Sequence, residues 1–168
     1  MIYEFCAENV TLLEKAMQAG ARRIELCDNL AVGGTTPSYG VTKASVEPAS
    51  NYDTTIMTMI RPRGGDFVYN DLEISIMLED IRLTAQAGSQ GVVFGALTAD
   101  KKLDKTNLEK LIAASRGMEI VFHMAFDDLS DEEQLEAIDW LSQAGVTRIL
   151  TRAGVSGDSL EKRFANYR

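Results

Sequence analysis

Two hydrophobic periods alternate along the chain. Short apolar runs with a β-branched and aromatic bias occupy residues 2–6, 22–27, 54–60, 91–94, 119–123 and 147–151, and each reads as a strand. Between them lie stretches with apolar residues at helical spacing. Val10, Leu12, Leu13, Ala16 and Met17 form the first, with Asn9 as the expected cap and Gly20 as the stop. A loop over 28–40, rich in Gly, Thr and Pro, leads to a short helix predicted at 41–47. The clearest helix is Asp71–Ala87, stopped at Gly88. Two more follow at 103–116 and 131–144, stopped by Gly117 and Gly145, the last with Ser130 as its cap. The segment 158–167 also reads as helical.

The pattern is strand–helix repeated six times, at about 28 residues per unit, with no hairpin signal between units. Strands joined only through helices run parallel, because a parallel pair needs a crossover. Such a sheet stays open or closes as a barrel. Alternation within the strands favours the barrel. Ile24 and Leu26 share one face against Glu25 and Cys27; Phe5 opposes Glu4 and Cys6; Phe122 opposes His123. The first face suits a helix layer. The second carries charge, which an open sheet covered on both sides would not accept, whereas a barrel interior opens at a solvated mouth. The alternative is that Glu4 and Glu25 sit at exposed strand ends. No Gly-rich dinucleotide loop follows the first strand. The fold class expected is therefore α/β, a TIM-like (β/α) barrel.

Composition changes this picture in three ways. The 168 residues suit a single domain over 1–168, yet an eight-unit barrel typically needs about 250 residues. The expectation is a barrel with its C-terminal units missing. The net charge of −8 disfavours nucleic acid and anionic membrane surfaces as partners. No apolar run reaches the roughly 20 residues of a membrane helix, and the N-terminus has no signal-peptide pattern. Two cysteines are too few for a disulfide framework, and a reducing cytoplasm suits them.

Candidate chemistry collects at the C-terminal ends of the strands. Arg61 and Arg63 offer planar forks to an anionic ligand, and Gly64-Gly65 lets backbone N–H groups approach it, with Asp66 placed to hold one arginine. The competing reading is a rigid turn whose arginines pair with Glu4 and Glu25. Glu25 and His123, the single histidine, could act as a general acid–base pair; His123 could equally be a hydrogen-bonded core residue. Cys6 and Cys27 end neighbouring strands, and soft thiolates prefer Cu(I) or Zn. Buried filler is the other role open to them. The 33–38 loop, Gly-Gly-Thr-Thr-Pro-Ser, is either a lid or a long turn. Met57 and Met59 read as barrel-core filler.

These segments together resemble a known family. Arg23-Ile24-Glu25-Leu26-Cys27, the 33–38 loop, Ile60-Arg61-Pro62-Arg63-Gly64-Gly65-Asp66-Phe67, Gly91-Val92-Val93-Phe94-Gly95, Phe122-His123-Met124-Ala125-Phe126-Asp127 and Gly145-Val146-Thr147-Arg148-Ile149-Leu150-Thr151 are similar to the CutC copper-homeostasis family. The resemblance spans nearly the whole chain. It implies a cytoplasmic TIM-like barrel, a role in copper handling with Cu(I) bound through Cys6 and Cys27, and a homo-oligomer. The alternative function is a barrel enzyme acting on a small anionic substrate, with Glu25 and His123 as acid and base and Arg61 and Arg63 as the clamp. Two departures stand out. The family pattern places an arginine after the histidine, where this chain has Met124, which removes one basic group and could add a thioether near His123, although neighbours on a strand face opposite ways. A Gly-rich turn and a last strand expected after 151 are not in the sequence.

Overall fold

The structure, a computed structural model, describes residues 2–152; the helix expected at 158–167 lies outside them. Six strands form one sheet: β1 (Glu4–Glu8), β2 (Arg23–Cys27), β3 (Thr55–Met59), β4 (Gly91–Phe94), β5 (Glu119–Phe122) and β6 (Arg148–Ile149). They lie side by side in sequence order, every pair parallel, and the sheet curls as part of a (β/α) barrel. Among the described residues β1 and β6 each pair on one side only. The helices are α1 (Leu13–Gln18), α2 (Tyr39–Ala49), α3 (Asp71–Ala87), α4 (Lys105–Ala114) and α5 (Asp131–Gln143).

Local chemistry sets most helix boundaries. Asn70 and Glu73 exchange side-chain bonds with each other's backbone N–H, a capping box that starts α3, and Gly88 ends it at φ 90°. Ser130 accepts from the Glu133 N–H to start α5, whose first turn carries Asp131, Glu132 and Glu133 against the positive end of the helix dipole. Ser38 caps α2 through the Val41 N–H, so that helix begins two residues before its expected start. The expected cap of α1 is different. Asn9 takes a left-handed conformation, donates its side-chain amide to Asp28, and gives its backbone N–H to Cys27 O. Its side chain ties β1 to β2, and α1 starts only at Leu13. The sixth strand is shorter than its 147–151 pattern, because Thr147 spends its N–H and hydroxyl on Ile120 O.

The two faces of the sheet bury different side chains. On the outer face Ile24, Leu26 and Ile56 pack with Leu13 and Met17 of α1. Val92, Phe94, Ile120 and Phe122 pack with Ile74, Met77, Ile81, Leu108, Leu111 and Leu141 from α3, α4 and α5. Each such fully buried side chain contributes roughly 1.5–3 kcal/mol. The inner face holds a separate cluster, Cys27, Met57, Met59, Val93 and Val121. Met57 and Met59 are core filler there, as their spacing indicates. Met57 fits because Gly91 stands beside it: a Cβ at Gly91 would fall 2.1 Å from Met57 Cε.

Glu4 and Glu25 occupy different levels of the inner face. Glu4 sits at the N-terminal end of β1 and pairs with Arg23 at 3.2 Å. Glu25, mid-strand in β2, is buried. The turn reading that paired Arg61 and Arg63 with these two carboxylates is corrected. Glu4 is taken by Arg23 and Glu25 by the cysteines, while Arg61 bonds the carbonyls of Val32, Gly34 and Gly65 and Arg63 pairs with Asp66 and Glu73.

Candidate functional site

Two groups of polar side chains stand on the inner face towards the C-terminal ends of the strands. The first is on β1 and β2. Cys6 is opposite Glu25 in the strand register, and Glu8 opposite Cys27. The Cys6 and Cys27 sulfurs are 3.9 Å apart, and Glu25 Oε1 accepts from both, at 3.5 and 3.8 Å. One donor atom from each of the three residues lies within 4.8 Å of the other two. Cys27 is fully buried while Cys6 is exposed, so the group is reached from one side. A Cβ at Gly34 would stand 3.0 Å from Cys27 Sγ, so the glycine lets the 33–38 loop close over the thiol. Burial raises the Glu25 carboxyl above its ordinary range, against the lowering effect of the Cys6 thiol. The Cys6 sulfur and then burial push the Cys27 thiol well up. Both shifts favour the neutral forms of Glu25 and Cys27.

The second group is built on the segments after β3 and β5. Arg61 is buried and spends its fork on three carbonyls, Val32 and Gly34 through Nη1 at 2.8 and 3.0 Å and Gly65 through Nη2 at 2.7 Å. It thereby ties the 33–38 loop to the Gly64-Gly65 turn. Among the described residues no carboxylate lies within ion-pair distance of it. His123 follows β5 and is buried. Its Nδ1 accepts from the Ala125 N–H at 3.2 Å, and its Nε2 has no partner. Burial, and then the Arg61 charge, pulls its pKa down to about 3. The imidazole is thus neutral at pH 7, with its proton on Nε2. The Phe67 ring lies between the two, 4.7 Å from the His123 ring and 4.9 Å from the Arg61 guanidinium carbon. Gly95 makes room for the imidazole: a Cβ there would meet the ring at 2.7 Å.

Arg61 and His123 border a cavity of about 190 Å³, walled also by Val32, Gly33, Met59, Gly65, Phe67, Met124 and Arg152. Arg63, Gly64 and Glu25 are not among its walls. Arg63 turns to Glu73 and Asp66 and to the carbonyls of Gly64, Asp66 and Val68. Gly64 packs on Val32, where a Cβ would fall 2.8 Å away. Met59 belongs to both neighbourhoods, packing with Cys27 on one side and walling the cavity on the other. Of the two readings of Met124, the structure supports a thioether near His123. β5 ends at Phe122, Met124 opens a 3-10 turn, and both side chains border the cavity. Arg152 Nε lies 3.1 Å from Met124 Sδ, which brings a guanidinium to this wall.

Sequence reasoning did not single out Asp127 or Val32. Asp127 accepts from the Thr151 hydroxyl and the Arg152 N–H, so it anchors the chain after β6 beside the cavity. Its adjacency to the strand-five motif was the available signal. Val32 reaches the cavity from a 3-10 turn that no periodicity announces.

The fold and these groups define a class: a (β/α)-barrel chain with polar chemistry at the C-terminal end of its strands. Within that class the chain belongs to the CutC family, whose model matches residues 1–164. It is 54% identical to a family protein CutC of Enterococcus faecalis over 164 residues, 98% of this chain and 78% of that protein. It is 42% identical to the human copper homeostasis protein cutC homolog over 160 residues, 95% of this chain and 56% of that one. The crystal structure of CutC from Streptococcus agalactiae superimposes with a TM-score of 0.95 at 44% identity, over 99% of this chain and 79% of that chain.

Proposed function

We propose that this chain serves copper homeostasis by binding Cu(I) through the thiolates of Cys6 and Cys27. The observation that carries this reading is the Cys6–Glu25–Cys27 group itself. Two sulfurs at 3.9 Å are within the roughly 4.6 Å that two metal–sulfur bonds of about 2.3 Å can span. Thiolates are soft ligands, suited to Cu(I), whereas a carboxylate suits harder ions. Glu25 therefore stands as the hydrogen-bonding partner of the sulfurs rather than as a ligand. Both thiols release protons when the ion binds, so affinity rises with pH. The copper homeostasis name of the human relative is consistent with this role.

The reading extends to the setting of the protein. Reduced thiols require a reducing compartment such as the cytoplasm. Among the described residues no helix is long and apolar enough to cross a membrane. A homo-oligomer follows from the family resemblance, and sedimentation across a concentration range tests it. The barrel is read as one domain, which a single cooperative unfolding transition would support.

The test of the copper role is a competition titration of reduced protein with Cu(I) against a chromophoric chelator. The expected result is one tightly held Cu(I) per chain, lost when Cys6 and Cys27 are both replaced by Ser. Unchanged affinity in that variant would remove the thiolates from the site.

A further inference from the structure

The Arg61–His123 cavity has features that the copper role does not use. His123 is 2% exposed and carries a proton on an Nε2 that meets no acceptor. A buried donor without a partner costs about 1–3 kcal/mol. Arg61, 4% exposed, holds a full positive charge against carbonyl dipoles, with no carboxylate beside it among the described residues. A buried cation of this kind is stabilised by an anion. Both residues wall one cavity of about 190 Å³, room for a few non-hydrogen atoms. Apart from Arg152, the remaining side chains on the walls are apolar, Val32, Met59, Phe67 and Met124, and would shield a bound anion from water, which strengthens its pairing with the cation. Gly33 and Gly65 border the same space with no side chain. The cavity is rigid at two points: Gly95 admits the imidazole at close range, and Arg61 ties both loops together.

We propose that this cavity is a binding site for a small oxyanion, which accepts the His123 Nε2–H hydrogen bond and neutralises Arg61, and that it is separate from the Cys6–Glu25–Cys27 group. Met59 forms the wall between the two. Arg63 and Gly64 have no part in the site. A carboxylate and a phosphate present the same oxygen acceptors, so the ligand class is fixed by this chemistry and its source by experiment.

Because the chain has one histidine, its imidazole nitrogens give one signal pair in a histidine-labelled NMR spectrum. Copper-free reduced protein is titrated with acetate in one arm and inorganic phosphate in the other, at constant ionic strength. The expected result is a saturable shift of the Nε2 resonance with at least one of them, and the arm that saturates names the source. The Gly33 and Gly65 amides should move with the same dissociation constant. By those amides, His123→Phe should weaken binding about 10-fold or more, the loss of one hydrogen bond to a charged group, and His123→Gln, which keeps a donor, should restore most of it. Cys6→Ser/Cys27→Ser should bind the anion as the parent does, so failure of the copper reading leaves this one standing. No saturable shift with either anion in the parent protein, or equal affinity in His123→Phe, would overturn the proposal.

Discussion

The two polar groups on the inner face solve the problem of burying charge in opposite ways. On β1 and β2, an acid and two thiols are hydrogen-bonded together: Glu25 accepts from both cysteines, burial raises the Glu25 carboxyl, and the Cys6 sulfur and then burial raise the Cys27 thiol. After β3 and β5, a permanently charged guanidinium is dispersed over three carbonyls, and the neighbouring imidazole is held neutral by burial and by that charge. The first group must lose protons to bind a cation. In the reading proposed above, the second receives an anion that balances its charge. The two proposed sites, of opposite preference, thus share one face of one sheet, with Met59 belonging to both neighbourhoods.

The largest expected effect separates them. Cys6→Ser/Cys27→Ser should lower Cu(I) affinity on the order of a thousandfold or more in the competition titration, since loss of a mere outer partner already costs about 10–100-fold. The same variant should leave the cavity unchanged. Arg61→Met should be the most damaging substitution at the other group. It strips partners from the Val32, Gly34 and Gly65 carbonyls and should cost about 3 kcal/mol in urea unfolding. Gly95→Ala attacks the same region by overpacking, because the new Cβ meets the His123 ring; about 1–3 kcal/mol is expected, with Cu(I) affinity retained.

The pH response is a smaller effect with a defined sign. His123 falls from an ordinary value near 6.5 to about 3 in the fold. Its neutral form is favoured in the native state, so the stabilisation is full above pH 6.5 and declines as pH falls towards 3. The slope there is up to about 1.4 kcal/mol per pH unit. Unfolding measured at pH 7 and 5.5 should show that loss in the parent and less of it in His123→Phe. The least effect is expected at Glu4, whose ion pair with Arg23 is partly exposed: Glu4→Gln should cost no more than about 1 kcal/mol.

The sequence carries the fold further than it carries the site. Period alternation identifies all six strands and five helices, because each helix has one buried stripe and each strand two distinct faces. Its errors are local. Asn9 looks like a helix cap, but its side chain is spent on Asp28, a partner 19 residues away that no window reveals. The thiol group was legible in part: Cys6 and Cys27 were placed on neighbouring strands, but Glu25, read as the partner of His123, lies opposite Cys6 and bonds both sulfurs instead. The cavity was half legible. Arg61 and His123 both stand at C-terminal strand ends in the sequence, yet their meeting depends on the path of the Phe67 loop and on the turn at Met124, which carry no periodicity. Arg63 and Arg61 look equivalent in sequence. The capping residue Glu73 and the flanking Asp66 draw Arg63 outward, while Arg61 lies under the 33–38 loop.

X-ray absorption at the copper edge of reduced protein loaded with one equivalent of Cu(I) tests the central claim most directly. Two sulfur scatterers in the first shell, lost in Cys6→Ser/Cys27→Ser, are the result this account predicts. A shell of nitrogen and oxygen alone, or a sulfur shell that survives the double substitution, would contradict it.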